Sequence, residues 1–301
     1  MIEDIERYLA LRASLGYGDS CLARILRRYG RYAKSNGWTF VARKQVEEYL
    51  GTVVASPRKR RDVFHMIRRF SDWMRAEDPR FQALEAKYHG IGKDRYVLTP
   101  YLYDPHEVLA IIDAVPKVGR LPPQNARSLQ FLIGLLAATG MRLSEALGLL
   151  REDCEDDTLF IRRSKFRKQR LIGLTKSTQT QIRRYLGERD PHLRDPHLIL
   201  LSHDRPPSKP MAENNFRRIT DHLGMIGKRG SGKPRLHDLR HTFAVRALEA
   251  CGSDHRDIEP HLPALCAYLG HTSVRSTYHY LHLLPERRRK LAEIRLAGDE
   301  R

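Results

Sequence analysis

Residues 268–282 read YLGHTSVRSTYHYLH. An apolar run ends at Gly270, His271 follows, and Tyr280 stands nine positions further on, with Tyr278 just before it. Taken alone, a tyrosine near a chain's end is more often packing than chemistry. Moving towards the N-terminus, residues 235–244 read RLHDLRHTFA. There His237 and Arg240 lie three apart, on one face of a helix, with His241 next to Arg240. Residues 161–174, IRRSKFRKQRLIGL, form a strongly basic segment. Residues 138–149, ATGMRLSEALGL, place Gly140 at the end of an apolar helix and Arg142 at the start of the next. Each piece by itself has an ordinary structural explanation, so the reading depends on their joint order.

The surrounding pattern predicts a mainly helical chain with a small β-sheet. A helix opens at Asp104, Pro105 and Glu107, an N-cap followed by proline and an acid in the first turn. Residues 124–139 are apolar nearly all round, as a core helix should be. Leu159 and Ile161 alternate with Phe160 and Arg162, and Leu171, Ile172 and Leu174 follow a basic turn. That pattern predicts a hairpin with its tip at residues 165–168. Residues 211–223 and 238–250 return to helical spacing. From 85 to 100 the apolar period fails and Gly90, Gly92 and Pro100 interrupt the chain. We therefore expect a helical domain over 1–90, a linker over 91–103 and a second domain over 104–301.

In the first domain, Leu22, Ile25, Leu26, Tyr29 and Tyr32 keep helical spacing, while Arg24, Arg27, Arg28, Arg31 and Lys34 cover the rest of the circumference. After Pro57 a second helix turns Val63, Ile67, Phe70 and Met74 inward, and its basic residues include Arg58, Lys59, Arg60, Arg61 and Arg68. Two helices with one-sided arginine excess suit phosphate contacts better than plain solvation.

Charge points the same way. Across 301 residues, 54 Lys and Arg oppose 36 acids, a net charge of +18 that favours a polyanionic partner. An apolar fraction of 41% is enough for buried cores, yet no run reaches the roughly 18 residues of a spanning helix. The opening MIEDIERYLA is acidic where a secretory signal is basic, so a cytoplasmic, nucleoid-associated location is expected. The four cysteines form no CxxC pair and read as reduced thiols. His261, Cys266 and His271 are spaced by five, which rotates them off a common helix face, so no metal site is expected.

The ordered motifs resemble the tyrosine recombinase, or phage integrase, family. Its pattern is an arginine in TGxRxSE, a hairpin lysine, HxLRH, LGH and a tyrosine. Gly140, Arg142, Ser144 and Glu145 match the first; Lys165 the second; His237, Leu239, Arg240 and His241 the third; Leu269, Gly270 and His271 the fourth; Tyr280 the last. In the hairpin, Lys165, Lys168 and Arg170 fit the family spacing, and the first lysine is the one assigned to catalysis. The resemblance implies a helical core-binding domain before an α+β catalytic domain. It further implies attack by Tyr280 on a DNA phosphodiester, a 3′-phosphotyrosine and a free 5′ hydroxyl. Arg142 and Arg240 would clamp the nonbridging oxygens with bidentate forks that lysine cannot imitate. His237 would do acid–base work, His271 would hydrogen-bond the phosphate, Lys165 would protonate the leaving oxygen, and Glu145 would brace the arginines. No cofactor is implied, and rejoining needs no ATP because the phosphotyrosyl bond preserves the ester.

The partners so implied are double-stranded DNA, a tetramer of this chain on two paired sites, and other recombinases or accessory DNA-binding proteins. LPALCAYLGH and STYHYLH resemble recombinases of transposon-like mobile elements. Tyr278 rivals Tyr280 as nucleophile, and Lys168 rivals Lys165. A last helix from Pro285 would dock on a neighbouring protomer or fold back on its own. The competing functions are a type IB topoisomerase, which shares the chemistry, and a non-catalytic DNA-binding accessory factor. A membrane-surface protein fits worst, since the basic residues are not gathered on one amphipathic anchor.

Overall fold

The computed structural model describes residues 1–18, 20–54, 57–85, 99–118, 120–162, 169–227, 232–252, 258–271, 273 and 275–284. The chain divides into two compact units, Met1–Val97 and Leu98–Arg301.

The first unit consists of α1 (Ile2–Ser14), α2 (Ser20–Ser35), α3 (Arg43–Val53) and α4 (Pro57–Met74). The apolar rows legible in the sequence are its core: Leu22, Leu26 and Tyr29 of α2 and Val63, Ile67, Phe70 and Met74 of α4 are buried together with Ile5, Tyr8, Val46 and Leu50. Each large apolar side chain removed from water contributes roughly 1.5–3 kcal/mol. Gly30 lets α1 approach α2 closely, because a Cβ there would stand 2.7 Å from Ile5 Cδ1.

The second unit holds α5 (Pro105–Val118), α6 (Pro123–Thr139), α7 (Leu143–Leu147), β1 (Thr158–Ile161), β2 (Arg170–Gly173), α8 (Lys176–Gly187), α9 (Lys209–His222), α10 (Leu236–Glu249), α11 (Leu262–Leu269) and α12 (Arg275–Leu281). Among the described residues the only sheet is the antiparallel pair β1–β2, registered Leu159 to Ile172. The fold is thus mainly α with one small sheet. Helix α6 runs through the core with Leu129, Leu132, Ile133, Leu135 and Leu136 buried. Its buried polar residues are satisfied: the Ser128 hydroxyl meets Tyr185 Oη at 2.9 Å, and Asn125 Oδ1 accepts from Ser202 N at 2.8 Å. A second cluster, Val245, Leu248, Leu262, Leu265, Leu269, Tyr280, Leu281 and Leu284, joins α10, α11 and α12.

Residues 101–103, expected in a linker, belong instead to the second unit. Tyr101 and Tyr103 are buried, and the Tyr103 amide donates to Thr242 Oγ1 while its hydroxyl donates to the Arg235 carbonyl. Arg246 donates to the Tyr103 carbonyl, so this short segment is strapped across α10. Helix α5 starts at Pro105 as its signature indicates, and Glu107 accepts from both the Asp104 amide and Tyr101 Oη.

Candidate active site

Two glycines shape the site. Gly140 ends α6 at φ +61° and Gly270 ends α11 at φ +67°, left-handed conformations that favour glycine over any residue with a side chain. Space is restricted as well: a Cβ at 140 would collide with the Phe243 ring, and one at 270 would come within 2.9 Å of Arg170 Nη1. After each turn a carbonyl is left facing the interior.

Arginines take those carbonyls. Arg240, 3% exposed on α10, donates through Nη1 to Gly140 O at 2.9 Å and through Nη2 to Leu269 O at 2.7 Å. Arg142 donates through Nη2 to Gly270 O at 2.8 Å. Arg170, at the start of β2, donates through Nε to Tyr268 O at 2.7 Å. Three successive carbonyls at the end of α11, those of residues 268, 269 and 270, each receive a different guanidinium. A helix's last carbonyls have no intrahelical partner and carry the negative end of its dipole, so they are suited to cations. The like charges are further offset by Glu145, which is buried and accepts from Arg142 Nη1 at 2.7 Å, from the Arg142 amide at 2.9 Å and from Arg170 Nη2 at 2.7 Å. Burial alone would raise the Glu145 carboxyl pKa; the hydrogen bonds from Arg170 and the Arg142 backbone hold it below its ordinary value instead.

The histidines and the tyrosine complete the cluster. The His271 amide donates to Cys266 O at 3.0 Å, fixing the residue to the end of α11, and its Nδ1 meets Thr277 Oγ1 at 2.9 Å. Its ring stacks at 6.1 Å from that of Tyr280. His241 lies 5.6 Å from Tyr280 and 4.9 Å from His237, centroid to centroid. Burial first, then Arg240, pushes His271 down to about 4 and lowers His237 as well; burial and His237 push His241 down to about 3. All three are therefore neutral near pH 7. The folded state refuses protons that the unfolded chain accepts near 6.5, so stability is full above that pH and falls as the pH drops from 6.5 towards 4. Thermal melting at pH 7.5 and pH 5 is expected to show a lower melting temperature at pH 5.

Tyr280 is 3% exposed; burial raises its hydroxyl pKa, opposed by the charges of Arg240 and Arg142. Tyr278 points elsewhere, exposed at 41% and donating to Glu259 Oε1 at 3.1 Å. Lys165 and its rival Lys168 lie outside the described residues, as does the stretch from Pro285 onwards.

Of the basic residues singled out in the first unit, Arg24, Arg28, Arg31, Lys34 and Lys59 are exposed. Arg27 is also exposed, but forms a bidentate pair with Glu6 at 2.7 Å. Arg68 pairs with Asp72, and Arg61 is half-buried. Arg60 serves the fold: its Nε donates to Val54 O at 2.6 Å, capping the end of α3. The Arg58 side chain lies outside the described ones. Among the described residues, no helix is long and apolar enough to cross a membrane, and no group of three or more His, Cys, Asp or Glu is placed to hold a metal ion. Sequence reading missed Arg170 as a site residue; its place in the hairpin spacing was the available signal.

The integrase/recombinase y4rE of Sinorhizobium fredii is 31% identical over 286 residues, covering 93% of this chain and 90% of its own length. The Tn1549 transposon integrase, solved in complex with transposon right end DNA, has the same fold at a TM-score of 0.67 and 16% identity, covering 98% of this chain and 99% of that one. A λ integrase tetramer bound to a Holliday junction matches at a TM-score of 0.58 and 18% identity, covering 90% and 77%. Residues 102–287 match the phage integrase family; the chain belongs to it and is a tyrosine recombinase.

Proposed function

We propose that this recombinase cuts DNA by attack of Tyr280 Oη on phosphorus, releasing the 5′ oxygen and leaving a 3′-phosphotyrosine. The oxygen–phosphorus bond to tyrosine forms as the bond to the 5′ oxygen breaks. Neutral His237 accepts the tyrosine proton, and Lys165 delivers a proton to the leaving oxygen. Arg142 and Arg240 each direct two of their five N–H groups to the carbonyl and carboxylate contacts above, Arg240 also faces the Tyr280 hydroxyl, and the remaining N–H groups serve the phosphate. Thr277 engages His271 Nδ1, which leaves Nε2 for a nonbridging oxygen. The observation that carries the reading is the burial of Tyr280 beside Arg240 and His271 while Tyr278 faces Glu259.

The charge balance supports the same reading. Among the described residues, Arg142, Arg170 and Arg240 against Glu145 leave an excess of two positive charges. A phosphodiester carries one negative charge, and the five-coordinate transition state carries two. The site therefore complements the transition state better than the ground state, which is the condition for catalysis.

We propose that the exposed arginines and lysines of α2 and α4 grip the duplex backbone, that four copies act on two paired sites, and that the DNA moved is a mobile element. The integrase/recombinase relative supports the last point, and the tetrameric λ integrase the second. A nicked duplex bearing a site selected from random sequence by binding to this protein tests the chemistry. The expected result is a denaturant-resistant protein–DNA adduct and a free 5′ hydroxyl. Specific binding with no adduct would make the chain an accessory factor, and efficient relaxation of plasmid lacking any site would make it a topoisomerase.

A further inference from the structure

Arg170 touches neither Tyr280 nor the catalytic histidines in any described contact, yet it joins three separate parts of the site. From the first residue of β2 its Nη1 and Nη2 reach the two Glu145 oxygens at 3.1 and 2.7 Å, while Nε reaches Tyr268 O at 2.7 Å. Its side chain is 10% exposed, and Gly270 has no side chain where Arg170 passes. Glu145 in turn holds both the amide and the guanidinium of Arg142. We propose that Arg170 is a positioning residue: it shares the Glu145 carboxylate so that Arg142 keeps its charge and free N–H groups directed at the phosphate, and it ties β2 to the turn that carries His271. Without it, a buried carboxylate has Arg142 as its remaining guanidinium partner and draws that charge away from the substrate. An ammonium cannot replace it, because one nitrogen does not span Tyr268 O and both Glu145 oxygens.

The inference rests on the proposed chemistry, and the test separates the two. Wild type, Arg170→Ala, Arg170→Lys, Glu145→Gln and the double variant Arg170→Ala with Glu145→Gln, each checked by thermal melting and DNA affinity, are compared in single-turnover adduct formation on the selected nicked duplex. A second duplex carries a methylphosphonate, which has one nonbridging charge fewer, at the scissile position. Both Arg170 variants are expected to bind DNA as wild type does and to cleave the phosphodiester roughly 10- to 100-fold more slowly, the range typical of removing a group that orients a charged side chain. On the methylphosphonate the deficit should shrink to a few-fold, and in a Glu145→Gln background the loss of Arg170 should add little. An equal deficit on both duplexes, a rate restored by Arg170→Lys, or losses that simply add would each overturn the proposal. Failure of wild type to form any adduct would instead refute the underlying reading.

Discussion

A Tyr280→Phe variant is expected to bind its DNA site as wild type does and to form no covalent adduct, a loss on the order of 10⁴-fold or more. The phenylalanine ring keeps its place in the buried cluster that includes Val245, Leu248, Leu281 and Leu284, so the helices around it stay in place. Only the attacking oxygen is removed. Tyr278→Phe is the matched control: it loses an exposed hydrogen bond to Glu259 and should cleave at close to the wild-type rate. The check is adduct formation on a denaturing gel beside a binding titration. An adduct that survives in Tyr280→Phe and disappears in Tyr278→Phe would reverse the assignment.

Arg240→Ala should reduce cleavage by roughly 10²- to 10³-fold, the range for deleting one preorganised donor to a developing oxyanion. The buried carbonyls of Gly140 and Leu269 would also lose their partner, at about 1–3 kcal/mol each. Arg240→Lys is expected to recover stability better than rate. Lysine carries the charge, but one ammonium cannot reach two carbonyls on different helix ends and still present a fork to phosphate. Burial and Arg142 push Arg240 down to about 10, so it remains charged at neutral pH and its loss should be equally costly across pH 6 to 8. Rates across that range, together with melting temperatures, separate the catalytic from the structural effect.

The helices whose apolar rows keep one period were legible from sequence, because a buried stripe must recur every three to four residues. The segment 101–103 was not. Next to Pro100 and without a period it reads as connector, and its burial comes from Thr242, Arg235 and Arg246, more than 130 positions away. Nor was the structural role of Arg60 legible: grouped by charge with the phosphate-contact candidates, it caps α3 through Nε.

Residues 268–282 show the division most clearly. The sequence by itself determined which side chains the chemistry needs and their order along the chain, since charge, proton affinity and nucleophilicity belong to residue types. Only the tertiary structure set the surroundings of the two tyrosines, turning the Tyr280 ring into the α10–α12 cluster and Tyr278 towards Glu259. It also decided that Tyr268, Leu269 and Gly270 each receive an arginine from elsewhere in the chain. The physical reason is that a helix end supplies unpaired carbonyls locally, while the cations that satisfy them come from whatever the rest of the fold brings close.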